Sequence, residues 1–194
     1  MPISHHLDLY RYWLAKRASR TMPARSDISP GDFPALLPYL CILDKVDGRC
    51  RFRLVGTAAA RQFGHDLTGE FVGSYTGPPE RAATQIAIYE RVFTTANPLF
   101  VAGEYQTRTG SIHKVSRFMV PLSDDGVNAN KVVFTRIARF SSDVKIGVDW
   151  LKGTPGRTKY VAEVFNIAEL ERLGLDWERD ALSDDLTVKN LLRR

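Results

Sequence analysis

The chain has 194 residues, 44% of them hydrophobic, a formal net charge of +5 at pH 7 and two cysteines, Cys41 and Cys50. That length suits one domain with appendages, able to bury roughly 70% of its unfolded surface, so no disulfide framework is required. Cysteine spacing excludes a CxxC redox pair and a c-type haem attachment, and no apolar run approaches the roughly 20 residues of a membrane span, so a cytoplasmic protein without membrane contact is expected. The opening Met1-Pro-Ile-Ser-His-His also lacks the charged-then-apolar order of a secretion signal.

Leu7, Tyr10, Trp13 and Leu14 recur at helical spacing, which predicts an amphipathic helix from about Ser4 to Ser19. Its apolar stripe is expected either to cover a sheet face in its own chain or to cross to a second copy in an isologous homodimer. Arg11, Lys16, Arg17, Arg20 and Arg25 make this arm basic, while acids crowd the other end of the chain. With few aromatics interleaved, a partner-facing or solvated surface is the better reading and a nucleic-acid binder the lesser one. Pro23 to Pro30 forms a turn-rich linker, and Asp32, Phe33, Leu36 and Leu37 suit one helical turn before Pro38.

From Tyr39 the apolar period becomes two. Tyr39 to Val46, Asp47-Gly48 and Arg49 to Gly56 predict a hairpin on a primed turn, with Lys45 facing Cys50, Asp44 facing Arg51, Leu43 facing Phe52, Ile42 facing Arg53 and Cys41 facing Leu54. The cysteines do not meet in that register. One face then carries Cys41, Leu43, Phe52 and Leu54, the other Leu40, Ile42 and Val55 with an Asp44–Arg51 pair, so both faces need cover.

The second strand runs directly into Ala58 to Phe63, a short helix that Thr57 is expected to cap and Gly64 to close in the left-handed conformation, with a second brief helix in Gly64-His-Asp-Leu-Thr-Gly69. Such a corner folds a cover, about Ala58 to Gly77, over the sheet. A longer helix follows from Pro79 to Asn97, its stripe read as Ile86, Tyr89, Val92 and Phe93. Leu99 to Thr107 and Ser111 to Leu122 are strands joined at Arg108-Thr109-Gly110, with Phe100 and Met119 on one face and Val101 and Phe118 on the other. A last strand spans Lys131 to Phe140. Five antiparallel strands with helices between the second and third give an α+β layout. Beyond them, Tyr160 to Phe165 reads as strand or helix, Ile167 to Leu173 as a helix stopped by Gly174, and Ser183 to Leu192 as another helix.

In this order Arg25-Ser-Asp-Ile-Ser-Pro30, Leu36-Leu37-Pro38, Phe52-Arg-Leu-Val-Gly56-Thr57 and Phe63-Gly64-His-Asp-Leu67-Thr68-Gly69 resemble the PAS superfamily, most closely a proteobacterial stand-alone PAS family, over about Leu7 to Phe140. The resemblance implies a five-stranded antiparallel sheet with helices on one face, used for sensing or docking, and it brings no enzymatic activity. The organisation expected is an N-terminal helix and linker over residues 1–38, a PAS-like sensor domain over 39–140 and an extension with short helices over 141–194. Function still has to be argued from the site.

The interior between sheet and cover is the expected ligand pocket, lined by Phe52, Leu54, Thr57, Phe63, Leu67, Phe93, Phe100, Arg117 and Phe118, with His113 and Arg136 as further polar candidates. Filling it by Leu54→Trp is expected to block uptake. The competing reading is a packed core. His5, His6, His65 and His113 show no HxxxH or HExxH spacing, and neither cysteine lies in the cover, so metal, haem and flavin-adduct roles are unsupported. Asp124-Asp125-Gly126 with Asn128 and Asn130 lacks the closing glutamate of a calcium loop. Arg53 and Glu104 suit a structural pair, and no nucleophile with an orienting base assembles. The expectation is a non-enzymatic, homodimeric sensor or adaptor that binds a small organic ligand or a signalling protein. A pure interaction module with a filled core is the alternative.

Overall fold

Asp47 and Gly48 both take positive φ, 48° and 74°, the primed turn that a two-residue hairpin demands. It joins β1 (Leu40–Val46) to β2 (Arg49–Val55), and near the turn the register is the expected one, Lys45 with Cys50, Asp44 with Arg51 and Leu43 with Phe52. A β-bulge then intervenes, so that Ile42 pairs with Leu54 and Cys41 with Val55. One extra residue on a strand reverses every later side chain. Leu54 therefore packs with Leu40 and Ile42, while Val55 joins Cys41, Leu43 and Phe52 on the other face.

The computed structural model describes residues 3–74, 79–106, 112–139 and 157–179. Three more of the expected strands, β3 (Leu99–Gln106), β4 (Ile112–Leu122) and β5 (Lys131–Arg139), are joined by β6 (Arg157–Glu163) in a six-stranded antiparallel sheet of order β2-β1-β5-β4-β3-β6. The segment read as strand or helix near Tyr160 is thus the sixth strand, paired with β3. Phe100 pairs with Phe118 and Leu99 with Met119, one residue from the expected register. Phe100 and Phe118 consequently share one face, and Val101 and Met119 the other. Residues 107–111, 140–156 and 180–194, and with them the expected Arg108-Thr109-Gly110 connection and the helix expected at Ser183 to Leu192, lie outside the described residues.

Among the described residues, four α-helices divide between the two faces. On the outer face α1 (Ile3–Arg17) buries Ile3, His6, Leu7, Tyr10 and Trp13, and Trp13 Nε1 donates to the Pro121 carbonyl at 2.8 Å. The helix thus covers the sheet of its own chain. Beside it lies α4 (Ile167–Glu178), which starts on the Asn166 side chain accepting from Glu169 N–H at 2.8 Å. It runs through Gly174 instead of stopping there, because that glycine is a contact residue: a Cβ on it would stand 2.0 Å from Ile3 Cδ1.

The opposite face carries α2 (Thr57–Phe63) and α3 (Pro79–Thr95). Gly64 closes α2 at φ 91°, as expected, but the N-cap is Gly56 and Thr57 is an exposed first helical residue without a capping bond. Any side chain at Gly56 would meet the Leu37 and Pro38 carbonyl oxygens at 2.2 and 2.5 Å, so only glycine fits the cap position. The second brief helix after Gly64 is a run of turns, since this segment hydrogen-bonds instead along the free edge of β2, Phe52 N–H to Glu70 O at 2.9 Å and Val72 N–H to Cys50 O at 2.8 Å. In α3 the buried stripe is Gln85, Ile88, Tyr89, Val92 and Phe93, and Ile86 faces outward at 40% exposure. In the linker, 3₁₀ turns at Arg25–Asp27, Pro30–Asp32 and Leu37–Tyr39 replace the single turn expected before Pro38.

Candidate functional site

Strand alternation carries Arg117 on β4 and Arg136 on β5 to the α2–α3 face, since Met119 and Phe134, two residues away on each strand, belong to the core of that face. The two arginines are direct cross-strand partners. Both are buried, at 5% and 2% exposure. Arg136 donates to Gln62 Oε1 on α2 at 2.6 Å, and Arg117 donates to Tyr89 Oη on α3 at 2.8 Å. Each guanidinium also lies over a ring of the roof, Arg136 over Phe63 at 4.4 Å and Arg117 over Tyr89 at 5.3 Å. Gln85 and His113 add further buried polar groups, and burial holds the His113 ring below its ordinary pKa. A polar cluster therefore bridges sheet and cover in an otherwise apolar layer.

The part of that layer under β1 and β2 is filled by rings. Phe52 contacts Phe63 at 5.8 Å and Phe134 at 6.4 Å between centroids, and Tyr89 contacts Phe134 at 5.6 Å. Of the residues expected to line one pocket, Phe52, Phe63, Leu67, Phe93 and Arg117 come together on this face. Leu54, Phe100 and Phe118 do not: the bulge in β2 and the register of β3 with β4 send them to the α1 side. Thr57 is exposed on α2. A tryptophan at Leu54 would fall on the outer face beside Leu40 and Ile42, not in the cover-side layer. Arg136 and His113 are here as the further polar candidates expected from the sequence, whereas Gln62 and Tyr89 had no expected lining role and carry no motif that distinguishes them from packing residues.

On the outer face His6 is fully buried, with Nδ1 2.7 Å from Thr135 Oγ1 and Nε2 2.9 Å from Ser116 Oγ. One hydroxyl accepts from the ring and the other donates to it, which suits a neutral imidazole. Burial, with His5 adding a smaller repulsion, lowers its pKa from 6.5 to about 3. A cleft of about 20 Å³ opens nearby, lined by Ile3, Ser116, Ile137 and Trp177 among others, room for little more than water. His65 sits in the exposed turn with Nε2 3.0 Å from Glu70 Oε1.

The acidic loop before β5 is closed on itself. Asp125 accepts from Ser123 Oγ at 2.7 Å and from the Val127 and Asn128 N–H groups at 2.8 Å, which together hold its carboxyl well below the usual range. Asp124 pairs with Lys131. Among the described residues no group of three or more His, Cys, Asp or Glu side chains is placed to hold a metal ion. In the basic arm Lys16 pairs with Asp32 at 2.9 Å, Arg20 with Asp27 at 2.7 Å and Arg11 with Asp8 at 3.6 Å, so much of that charge is met within the chain. Asp44 and Arg51 pair as expected, at 3.8 Å. Arg53 and Glu104 cannot pair, because β1, β5 and β4 lie between their strands, a separation of roughly 19 Å at the usual strand spacing. Cys41 and Cys50 are free and buried.

No helix among the described residues is long and apolar enough to cross a membrane. No curated protein matches the chain significantly in sequence. Among solved structures, VqmA bound to DPO is similar with a TM-score of 0.44 and 16% identity, over 84% of this chain and 92% of that one. A Rhodobacter sphaeroides LOV protein is similar with a TM-score of 0.43 and 12% identity, over 60% of this chain and 71% of that one. The profile described as "PAS domain" matches residues 1–133, taking in α1, the linker, the α2–α3 cover and most of the sheet. With more than half the chain matched and a cover of helices lying on an antiparallel sheet, this protein belongs to the PAS domain family.

Proposed function

We propose that the chain is a non-catalytic sensor module that takes a small organic ligand between the sheet and the α2–α3 cover and relays its presence through protein contacts. One observation carries the reading: buried polar groups from sheet and roof converge at Arg117, Arg136, Gln62 and Tyr89 within apolar walls. Ligand sites have this composition, a few placed polar groups in a mainly apolar enclosure. Relay follows from the construction, since a ligand that favours one arrangement of α2 changes the surface presented outside. The His6–Ser116–Thr135 cluster is sealed under α1 and serves as a structural bridge, which supports a module without catalysis.

Assembly as a homodimer belongs to the proposal. Because α1 is spent on its own sheet, the contact between copies would use other surfaces. Native mass spectrometry of protein purified without added ligand tests both points. The expected spectrum shows twice the 21.8 kDa chain mass plus a small molecule lost on denaturation.

The ring packing of Phe52, Phe63, Tyr89 and Phe134 favours a second reading, a protein-interaction module with a filled core. A bare mass, together with no compound in a thermal-shift library raising Tm, is the outcome that selects it.

A further inference from the structure

Resting on the homodimer reading, we propose that two copies of the chain join strand to strand along the outer edge of β6, antiparallel about a two-fold axis at Ala162. What the rest of the sheet leaves open is the first argument. Its two faces are covered, by α1 and α4 on one side and by α2 and α3 on the other. The edge of β2 is occupied by the segment through Glu70 and Val72. β6 is the last strand at the other end, and among the described residues no strand pairs with its outer side. Such an edge presents a row of N–H and C=O groups, a template for another strand.

The phase of β6 supplies the second argument. Val164 N–H donates to the Pro98 carbonyl at 2.9 Å, so Val164 and Ala162 turn their backbone groups to β3 while Val161 and Glu163 turn theirs outward. About an axis at Ala162, Val161 N–H meets the Glu163 carbonyl of the second copy, and Glu163 N–H meets its Val161 carbonyl. Val161 then faces Glu163 and Lys159 faces Phe165, so no like charges oppose each other. Neighbouring registers are worse. An axis at Glu163 sets two carboxylates face to face, and one at Val161 draws the bulge at Lys159 into the ladder. A strand that matches its own reversed order in this way fits a second copy of the same chain.

The third argument is that the edge is already in place. Arg91 of α3 pairs with Glu163 at 2.7 Å, Asn97 Nδ2 donates to the same carboxylate at 2.9 Å, and Val161 is buried in the cover-side core. Order present before association is not lost again on binding. These bonds also tie the edge to α3, one of the two helices of the cover. Just past the end of β6, Phe165 is 66% exposed, and the two-fold brings another strand alongside it.

Light scattering and native mass spectrometry over a dilution series test the assignment. Val161→Pro removes an N–H that β3 does not use, a change edge strands tolerate. It is expected to keep the wild-type circular dichroism while weakening the dimer about tenfold or more. Ala162→Cys sets two thiols at the axis in a non-hydrogen-bonded pair, with Cα atoms about 4.5 Å apart and within disulfide reach. Mild oxidation is expected to give a covalent dimer from it and little from Ile86→Cys, exposed on α3; the buried Cys41 and Cys50 do not compete. Should Val161→Pro fail to fold, the two cysteine variants decide. A folded Val161→Pro that dimerises like wild type, or an Ala162→Cys that cross-links no faster than Ile86→Cys, overturns the β6 assignment and leaves a homodimer on another surface standing. A wild type that is monomeric at every concentration overturns the homodimer reading itself, and the second copy as occupant with it.

Discussion

His6 of α1 and Thr135 of β5 are joined across the outer face at 2.7 Å, 129 residues apart in sequence and wholly out of contact with solvent. With Ser116 on the other ring nitrogen, the imidazole ties α1 to the two central strands β4 and β5.

That bridge makes stability depend on pH in a defined direction. The folded pKa, about 3, lies below the ordinary 6.5, so between those values the unfolded chain binds the extra proton. Stability is complete above about 6.5 and falls as pH drops toward 3, by on the order of 1 kcal/mol per pH unit. Urea midpoints at pH 7 and pH 5 should differ in wild type and differ less in His6→Gln. Equal differences in the two proteins would assign the acid sensitivity to other groups.

Gly56→Ala places a methyl on backbone oxygens 2.2 and 2.5 Å away, which cannot rotate aside. A loss of about 3 kcal/mol or more is expected. Gly48→Ala, at φ 74° but with open space around it, should cost only about 1 kcal/mol. Denaturant midpoints of the two variants check the order.

Gly174→Ala forces α4 away from α1, because the new methyl overlaps the Ile3 side chain. Overpacking of this kind costs about 1–3 kcal/mol. Ile3→Ala should relieve it in part, so the double variant is expected to be more stable than the sum of the singles allows. A double-mutant cycle measures the coupling, and additivity within error would contradict the contact.

Burial pushes the Cys41 thiol up to about 12, and burial with the nearby Glu90 carboxylate does the same for Cys50. At pH 8 both should react with a thiol reagent on the order of a thousandfold more slowly than a free cysteine. Addition of denaturant should release two thiols, which a colorimetric thiol assay counts. Fast labelling of the folded protein would show that the β1–β2 hairpin opens.

Much of the fold was legible where the signal is local. The Asp47-Gly48 turn set the Lys45–Cys50, Asp44–Arg51 and Leu43–Phe52 pairs because its dihedrals admit one geometry. Gly64 closed α2 for the same kind of reason, a left-handed φ that glycine adopts without strain. Helical spacing likewise found α1 and α3, although it chose Ile86 over Ile88 because an isolated stripe does not say where its edge meets the partner sheet. Gly174 was misread as a stop because a contact glycine and a terminating glycine look alike in one dimension.

The candidate site was less legible, since it rests on strand phase. The bulge before Leu54 and the one-residue register of β3 on β4 each reverse a face, and neither leaves a mark in composition. Arg117 and Arg136 stood out as residue types, but their opposition depends on how β4 and β5 align, and their roof partners come from helices 74 and 28 residues away in sequence.

The amino-acid order by itself determined the turns, the helix periods and the α+β succession, because these follow from dihedral preferences and spacing within a few residues. Tertiary structure alone decided which face each strand residue took, that α1 covers its own sheet, and that two buried guanidinium groups meet under α2 and α3. Those outcomes depend on contacts between segments far apart in the chain, where one residue of register turns a core position into its opposite.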